Sequence, residues 1–147
     1  MKTVLKASDV RKEWSKFIDE VKWVKPALVK RNRDIIAVLS FDLLEFILKE
    51  YKITVEVKQE EDGSYTGILN EMDLMANAVD MESLKLELVN ELLEYSEEYM
   101  NEFSLYYNSP NRKNHFPYVY RAILASDDIE KVKKLFSLNF QSKKKVS

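Results

Sequence analysis

The chain has 147 residues, enough for one domain or two small ones. An apolar fraction of 46% supports packed cores, while two Gly and three Pro argue against a disordered or loop-rich chain. The absence of Cys excludes disulfides, thiolate zinc sites and thiol catalysis, a single His argues against a His-based metal site, and the net charge of −2 hides a sharp partition along the sequence.

In chain order, Thr3–Lys6 reads as a short extended start, followed by a helix capped by Ser8 or Asp9. Val10, Trp14, Phe17, Ile18 and Val21 fall at helical spacing and define one core face. Arg11 sits in the first turn, where a cation opposes the helix dipole, so helix stability does not explain it. Lys25-Pro26 ends the helical region. Ala27–Val29 and Ile35–Leu39 are short apolar runs on either side of a polar tip, Lys30 to Asp34, which predicts a hairpin. Its tip holds three cations, Lys30, Arg31 and Arg33, within four residues. Ser40 or Asp42 should cap a second helix, Phe41 to about Lys49, which is apolar on most of its circumference. Such a helix must be covered, and a dimer interface would do it.

From Tyr51 the period becomes two. Ile53, Val55 and Val57 alternate with Thr54, Glu56 and Lys58, and Glu61-Asp62-Gly63-Ser64 supplies a hairpin turn before a strand at Tyr65–Leu69. Leu74–Val79 reads as a third strand. A long helix starts at Asp80 or Ser83, with Leu84, Leu88, Leu92, Tyr95, Tyr99 and Phe103 on one face and glutamates on the other. Ser109-Pro110-Asn111 breaks it. Two shorter helices are expected from about Phe116 to Leu124 and from Asp127 to Leu138, then a basic tail at 141–147. The fold class expected is α+β. Its domains are a small N-terminal unit of strand, helix, hairpin and helix at 1–50, and a three-strand sheet with one long and two shorter helices at 51–140.

Charge follows the same division. Residues 1–33 hold 10 Lys/Arg against 4 Asp/Glu, net +6, whereas residues 51–103 hold 3 against 14, net −11. Residues 104–147 hold 9 against 3, net +6. A basic N-terminal unit suits a phosphate backbone, and an acidic middle suits a basic protein.

The order and spacing of the first 50 residues resemble the Phd/YefM antitoxin family. The likeness rests on Ala7-Ser8-Asp9-Val10-Arg11, Phe17-Ile18-Asp19-Glu20-Val21, Pro26-Ala27-Leu28-Val29-Lys30-Arg31-Asn32 and Ala37-Val38-Leu39-Ser40-Phe41-Asp42. It covers about a third of the chain. The family pattern places a glycine at the hairpin turn, where this chain has Arg33-Asp34; Asn32 can take the left-handed conformation instead. The resemblance implies a homodimer, or a higher even oligomer, that binds operator DNA as an autorepressor and neutralises a cognate toxin. It assigns DNA contacts to Arg11 and Arg31, to which Ser8, Lys12, Lys30, Asn32 and Arg33 are added as neighbours. The run Ile53–Tyr99 resembles, more weakly, the partial ribonuclease H-type domain of HicB antitoxins, although Val79-Asp80-Met81 lacks the glycine usual before the helix cap. That likeness and the −11 block imply a toxin-binding role for this part, with Glu87, Glu91, Glu94 and Glu98 facing a basic ribonuclease.

Catalytic readings are weaker. Glu60-Glu61-Asp62 and Glu71/Asp73 have the chemistry of metal ligands, but Glu60–Asp62 is more simply a solvated hairpin tip, and Ile53, Val55 and Val57 stand where a nuclease would need strand-borne acids. His115 beside Phe116-Pro117 reads as the opening of a helix. Arg112 and Lys113, after Tyr106 and Tyr107, fit either nucleic-acid stacking or a cap on the long helix, the cap being favoured. The expectation is therefore a non-enzyme without metal or cofactor. It is placed in the cytoplasm for want of a signal segment or a membrane span of about 18 apolar residues. The alternative function is a protein-interaction module with a Phd-like fold that binds no DNA.

Overall fold

The computed structural model describes residues 4–140 and divides into two compact units, Met1–Ile47 and Leu48–Ser147. Unit 1 runs β1 (Val4–Lys6), α1 (Ala7–Lys12), α2 (Trp14–Trp23), β2 (Ala27–Arg31), β3 (Asp34–Val38) and α3 (Phe41–Leu48), whose last residue falls in unit 2. The sheet order is β1-β2-β3, with β1 parallel and β3 antiparallel to β2. The expected start at Thr3 and the basic tail at 141–147 lie outside the described residues.

Three local details depart from expectation. Helix α1 begins at Ala7 after Lys6, with no side-chain cap, so Ser8 and Asp9 lie in its first turn rather than before it. The single N-terminal helix is two, broken at Glu13, whose backbone lies at φ −122° and ψ 46°; Arg11 therefore falls in the last turn of α1, where the helix dipole favours a cation, and not in a first turn that opposes it. Of the expected core face, Val10, Phe17 and Val21 are buried, whereas Trp14 is 57% and Ile18 38% exposed. At α3, Ser40 rather than Asp42 provides the cap: the Leu43 amide donates to its Oγ at 3.2 Å.

The core of unit 1 is small. Among the described residues, Val10, Phe17 and Val21 are joined by half-buried Leu5, Ala27, Val29 and Val38. Ile36 lies directly opposite Val29 across the β2–β3 ladder, hence on the same face, yet is 61% exposed. Phe46 and Ile47 on α3 are also exposed.

Unit 2 is built on β4 (Ile53–Gln59), β5 (Tyr65–Leu69), β6 (Leu74–Ala78) and β7 (Phe136–Phe140), in the order β6-β5-β4-β7. Helices α4 (Met81–Asn101), α5 (Phe103–Tyr107), α6 (Phe116–Leu124) and α7 (Ile129–Lys133) complete it. The hairpin at 60–64 forms as expected: Gly63 takes φ 88°, and Asp62 accepts the Ser64 amide at 2.9 Å and its hydroxyl at 2.6 Å. Glu71 is occupied structurally, both carboxylate oxygens accepting the Thr54 amide at 2.9 and 3.0 Å. Asp80 caps α4 by accepting from the Ser83 amide at 2.8 Å.

The last expected helix is corrected. It spans only Ile129–Lys133, and Phe136–Phe140 forms a strand parallel to β4, pairing Ile53 with Phe136 and Val57 with Phe140. Phe-Ser-Leu-Asn-Phe alternates, and β4 offers a second edge that satisfies its backbone groups; a helix there would leave that edge open. The long helix also stops earlier than its apolar run, at Asn101, with α5 continuing after a break at Glu102. Among the described residues no helix is long and apolar enough to cross a membrane.

Helix α4 covers one face of this sheet. Ile53, Val55, Val57 and Leu69 from the sheet meet Leu84, Leu88, Val89 and Leu92 from α4, with Val119, Ala122 and Val132 closing the cluster. Gly67 faces this ridge, and a Cβ there would meet Leu88 Cδ1 at 2.8 Å and Leu84 Cδ2 at 3.3 Å. Gly67→Val should therefore force α4 off the sheet and destabilise unit 2 by about 1–3 kcal/mol. Both Trp residues lie in unit 1 and all eight Tyr in unit 2. Urea titration should show a lower midpoint in the tyrosine near-UV circular dichroism, with the tryptophan fluorescence transition unmoved.

Candidate functional site

The hairpin of unit 1 closes through a two-residue loop, Asn32-Arg33, between paired Arg31 and Asp34. Asn32 takes φ 55°, the left-handed conformation that asparagine tolerates, and so does the work of the missing glycine. The turn holds Lys30, Arg31 and Asn32 at one end of the sheet. The parallel register of β1 on β2 sets Lys6 beside Lys30. Because α1 leaves directly from Lys6, Ser8 and Arg11 arrive at the same end.

These residues line an open cleft of about 600 Å³, formed by Lys6, Ala7, Ser8, Arg11, Lys30, Arg31 and Asn32. Five of the seven residues singled out in sequence come together here: Ser8, Arg11, Lys30, Arg31 and Asn32. Lys12, at the end of α1, and Arg33, in the loop, are exposed but do not line it. Lys6 was missed; only the strand register, which sequence reading did not supply, sets it beside Lys30. The lining holds four cations and no carboxylate, and none of these cations makes an ion pair among the described residues. Each is exposed, so hydration and salt temper their repulsion. A polyanion laid in the cleft would replace that repulsion by charge-assisted hydrogen bonds. Ser8 and Asn32 add neutral donors suited to phosphate oxygens.

In unit 2, Glu87, Glu91, Glu94 and Glu98 follow one another at intervals of four, three and four residues, along a single stripe of α4. Glu87, Glu94 and Glu98 are exposed and Glu91 is half-buried. The buried ridge of Leu84, Leu88 and Leu92 fixes the helix rotation that points this stripe outward. Glu98 is already engaged: hydrogen bonding to its carboxylate is the main cause raising the Tyr106 hydroxyl pKa above the ordinary tyrosine value.

Arg112 and Lys113 do not cap α4, because α5 intervenes. Arg112 lies over the Tyr106 ring, 4.5 Å from its centroid, and Lys113 over Tyr107 at 5.0 Å. The Arg112 carbonyl accepts the Tyr99 hydroxyl at 2.9 Å. His115 directly precedes α6, as expected, and its Nδ1 lies 2.6 Å from the Tyr95 hydroxyl. Burial pushes the Tyr95 hydroxyl up to about 12, and it shares this hydrogen bond with the His115 ring. Burial first, then the Arg112 charge, lowers the pKa of His115, while Asp73 acts in the opposite direction.

Comparisons with known proteins reach the same parts of the chain. The family described as PHD-like, antitoxin of a RelE/RelB toxin–antitoxin system, matches residues 1–138, spanning both units. The structure is also similar to a crystal structure from Syntrophomonas wolfei subsp. wolfei described as the antitoxin part of a proposed toxin/antitoxin system. The TM-score is 0.88 at 35% sequence identity, over 95% of this chain and 99% of that one. No curated protein sequence matches the chain.

The Tyr95–His115 contact should make the stability of unit 2 depend on pH. A histidine whose folded pKa is depressed contributes stability present above its unfolded value of 6.5 and lost as pH falls toward the folded value. Lowering pH from about 7.5 to about 5.5 should reduce the urea midpoint of the tyrosine signal, and His115→Gln should flatten that loss.

Proposed function

Because the chain belongs to the PHD-like family of antitoxins of RelE/RelB toxin–antitoxin systems, we propose that it binds operator DNA through unit 1, represses its own operon and neutralises its cognate toxin through unit 2. The cleft carries this reading: Lys6, Arg11, Lys30 and Arg31 converge on one open surface without a carboxylate. The likeness of residues 1–50 to Phd/YefM antitoxins supports the same assignment, with Arg11 and Arg31 as phosphate contacts. The protein acts by binding and performs no catalysis.

Unit 1 acts as a homodimer. A 47-residue unit with three buried apolar side chains among its described residues is too small to hold its fold unaided. Trp14, Trp23, Ile36 and Phe46 are all more than half exposed, which is the apolar surface a second copy would cover. A two-fold dimer doubles the cleft and matches a palindromic operator.

The toxin partner is a basic ribonuclease held through the acidic face of unit 2. Glu87, Glu91 and Glu94 meet its cationic substrate surface, and Glu98 takes part through Tyr106. The net −11 of residues 51–103 supports this, because like charge repels nucleic acid and steers a cationic protein. The partial resemblance of this stretch to HicB antitoxins agrees with it.

Two measurements test the reading. Operator binding should weaken with salt. Arg31→Ala should lower the log–log salt slope of the dimer by about 2, because each copy then leaves one phosphate unneutralised and each such phosphate accounts for about 0.9. An unchanged slope removes Arg31 from the phosphate contacts, and a full chain that binds no operator at low salt favours a module that binds no DNA. Glu87→Gln/Glu91→Gln/Glu94→Gln should weaken toxin binding about tenfold at low salt, or about 1.4 kcal/mol, with operator affinity unchanged.

A further inference from the structure

Strand β7 is an outer strand of the unit 2 sheet, and its far edge pairs with nothing among the described residues. Natural edge strands are blunted by charge, proline, bulges or covering elements. Phe136-Ser137-Leu138-Asn139-Phe140 carries neither charge nor proline. Phe140 at its end is 63% exposed. Beside the same strand runs a groove of about 280 Å³, floored by Phe136 and Leu138 and rimmed by Glu82, Lys85, Glu130, Lys133 and Lys134. One short strand thus carries both a protruding ring and an apolar recess.

We infer that β7 is a second self-association surface: a second copy of this chain pairs antiparallel with it about a two-fold axis, and the exposed Phe140 of each copy fills the groove beside Phe136 of the other. The register follows from the side chains. Pairing centred on Leu138 sets Phe136 opposite Phe140, Leu138 opposite its own counterpart and Ser137 opposite Asn139. Directly opposed residues share a face, so Phe140 enters on the side where the groove lies. A two-fold sets each patch against the same patch, so a usable patch must tolerate itself. The groove rim mixes lysines and glutamates and meets that condition. The occupant is thus a second copy, held by backbone hydrogen bonds and two cross-strand phenylalanine pairs.

On the reading that unit 1 also dimerises, two different two-fold contacts assemble four copies, with two basic clefts per dimer available to neighbouring operator sites. The inference rests on that reading only for the count of four. Sedimentation velocity of the full chain separates the two contacts. The wild type should sediment as four copies, and Ser137→Lys/Asn139→Lys, which sets lysine against lysine across the axis, as two. Ser137→Lys/Asn139→Glu, which sets opposite charges there, should restore four. A wild type of two copies that becomes one in the double-lysine variant upholds β7 and overturns the unit 1 dimer. A mass unchanged by that variant overturns the β7 contact and leaves the unit 1 dimer standing. A variant that keeps the wild-type mass but loses toxin affinity gives the edge to the toxin and likewise overturns the inference. If tyrosine circular dichroism shows the double-lysine variant unfolded, Phe140→Ser, which removes only the protruding ring, decides by the same mass change.

Discussion

Leu84 and Leu88 of α4 come so close to β5 that a Cβ at Gly67 would press on their terminal methyls, and that contact shapes the geometry of unit 2. It fixes the helix's distance from the sheet and its rotation about its own axis. With the leucine ridge turned inward, the glutamate stripe must turn outward. The same rotation turns Tyr95 toward His115 and Tyr99 toward the Arg112 carbonyl, which ties the chain after Ser109 back to the long helix. Strand β4, paired on both edges and buried beneath this layer, is the central strand to which early and late parts of the chain attach.

Unit 1 obeys the opposite balance. Its strands and helices form through local signals, yet they bury few side chains, and apolar groups remain on faces that a monomer leaves in water. Ile36 makes the point: it sits on the core face of the hairpin and is still mostly exposed. Hydrophobic burial grows with the area removed from water, so a unit this small gains most by covering such residues with another molecule. On the proposed function, stability and operator binding are then linked, because dimerisation both completes the core and duplicates the cleft.

Charge is divided between the units in the same sense as the proposed partners. The basic cleft contains no carboxylate, and the acidic stripe lies on a helix whose 21 residues include one lysine. Neither surface neutralises itself. Each keeps electrostatic energy that only a partner of opposite sign releases, and at ordinary ionic strength that energy acts over about 10 Å. Carboxylates of the two kinds also differ in what they do: Glu71 is spent on the Thr54 amide and Asp62 on Ser64, whereas Glu87 and Glu94 remain exposed on the outer face.

By itself the sequence determined what short-range chemistry controls. The alternation of Ile53, Val55 and Val57, the Asp62-Gly63 turn and the helical spacing of Leu84, Leu88 and Leu92 each act within a few residues, and all are found where the pattern placed them; of the two helix starts left open, Asp80 and Ser83, the cap is Asp80. The left-handed Asn32 was legible for the same reason, and Ser8, Arg11, Lys30 and Arg31 could each be singled out in the sequence, but the β1–β2 register is what brings helix and hairpin residues together. The tertiary structure alone decided what depends on distant partners. Phe136–Phe140 is a strand because β4, some 80 residues earlier, offers it an edge, and no local signal carries that pairing. Lys6 joins the cleft because the β1–β2 register sets it beside Lys30. Gly67 meets the leucine ridge of α4 only because that helix packs across the sheet. Backbone hydrogen bonding and close packing are satisfied between segments rather than within them, so these outcomes appear only once the chain has folded.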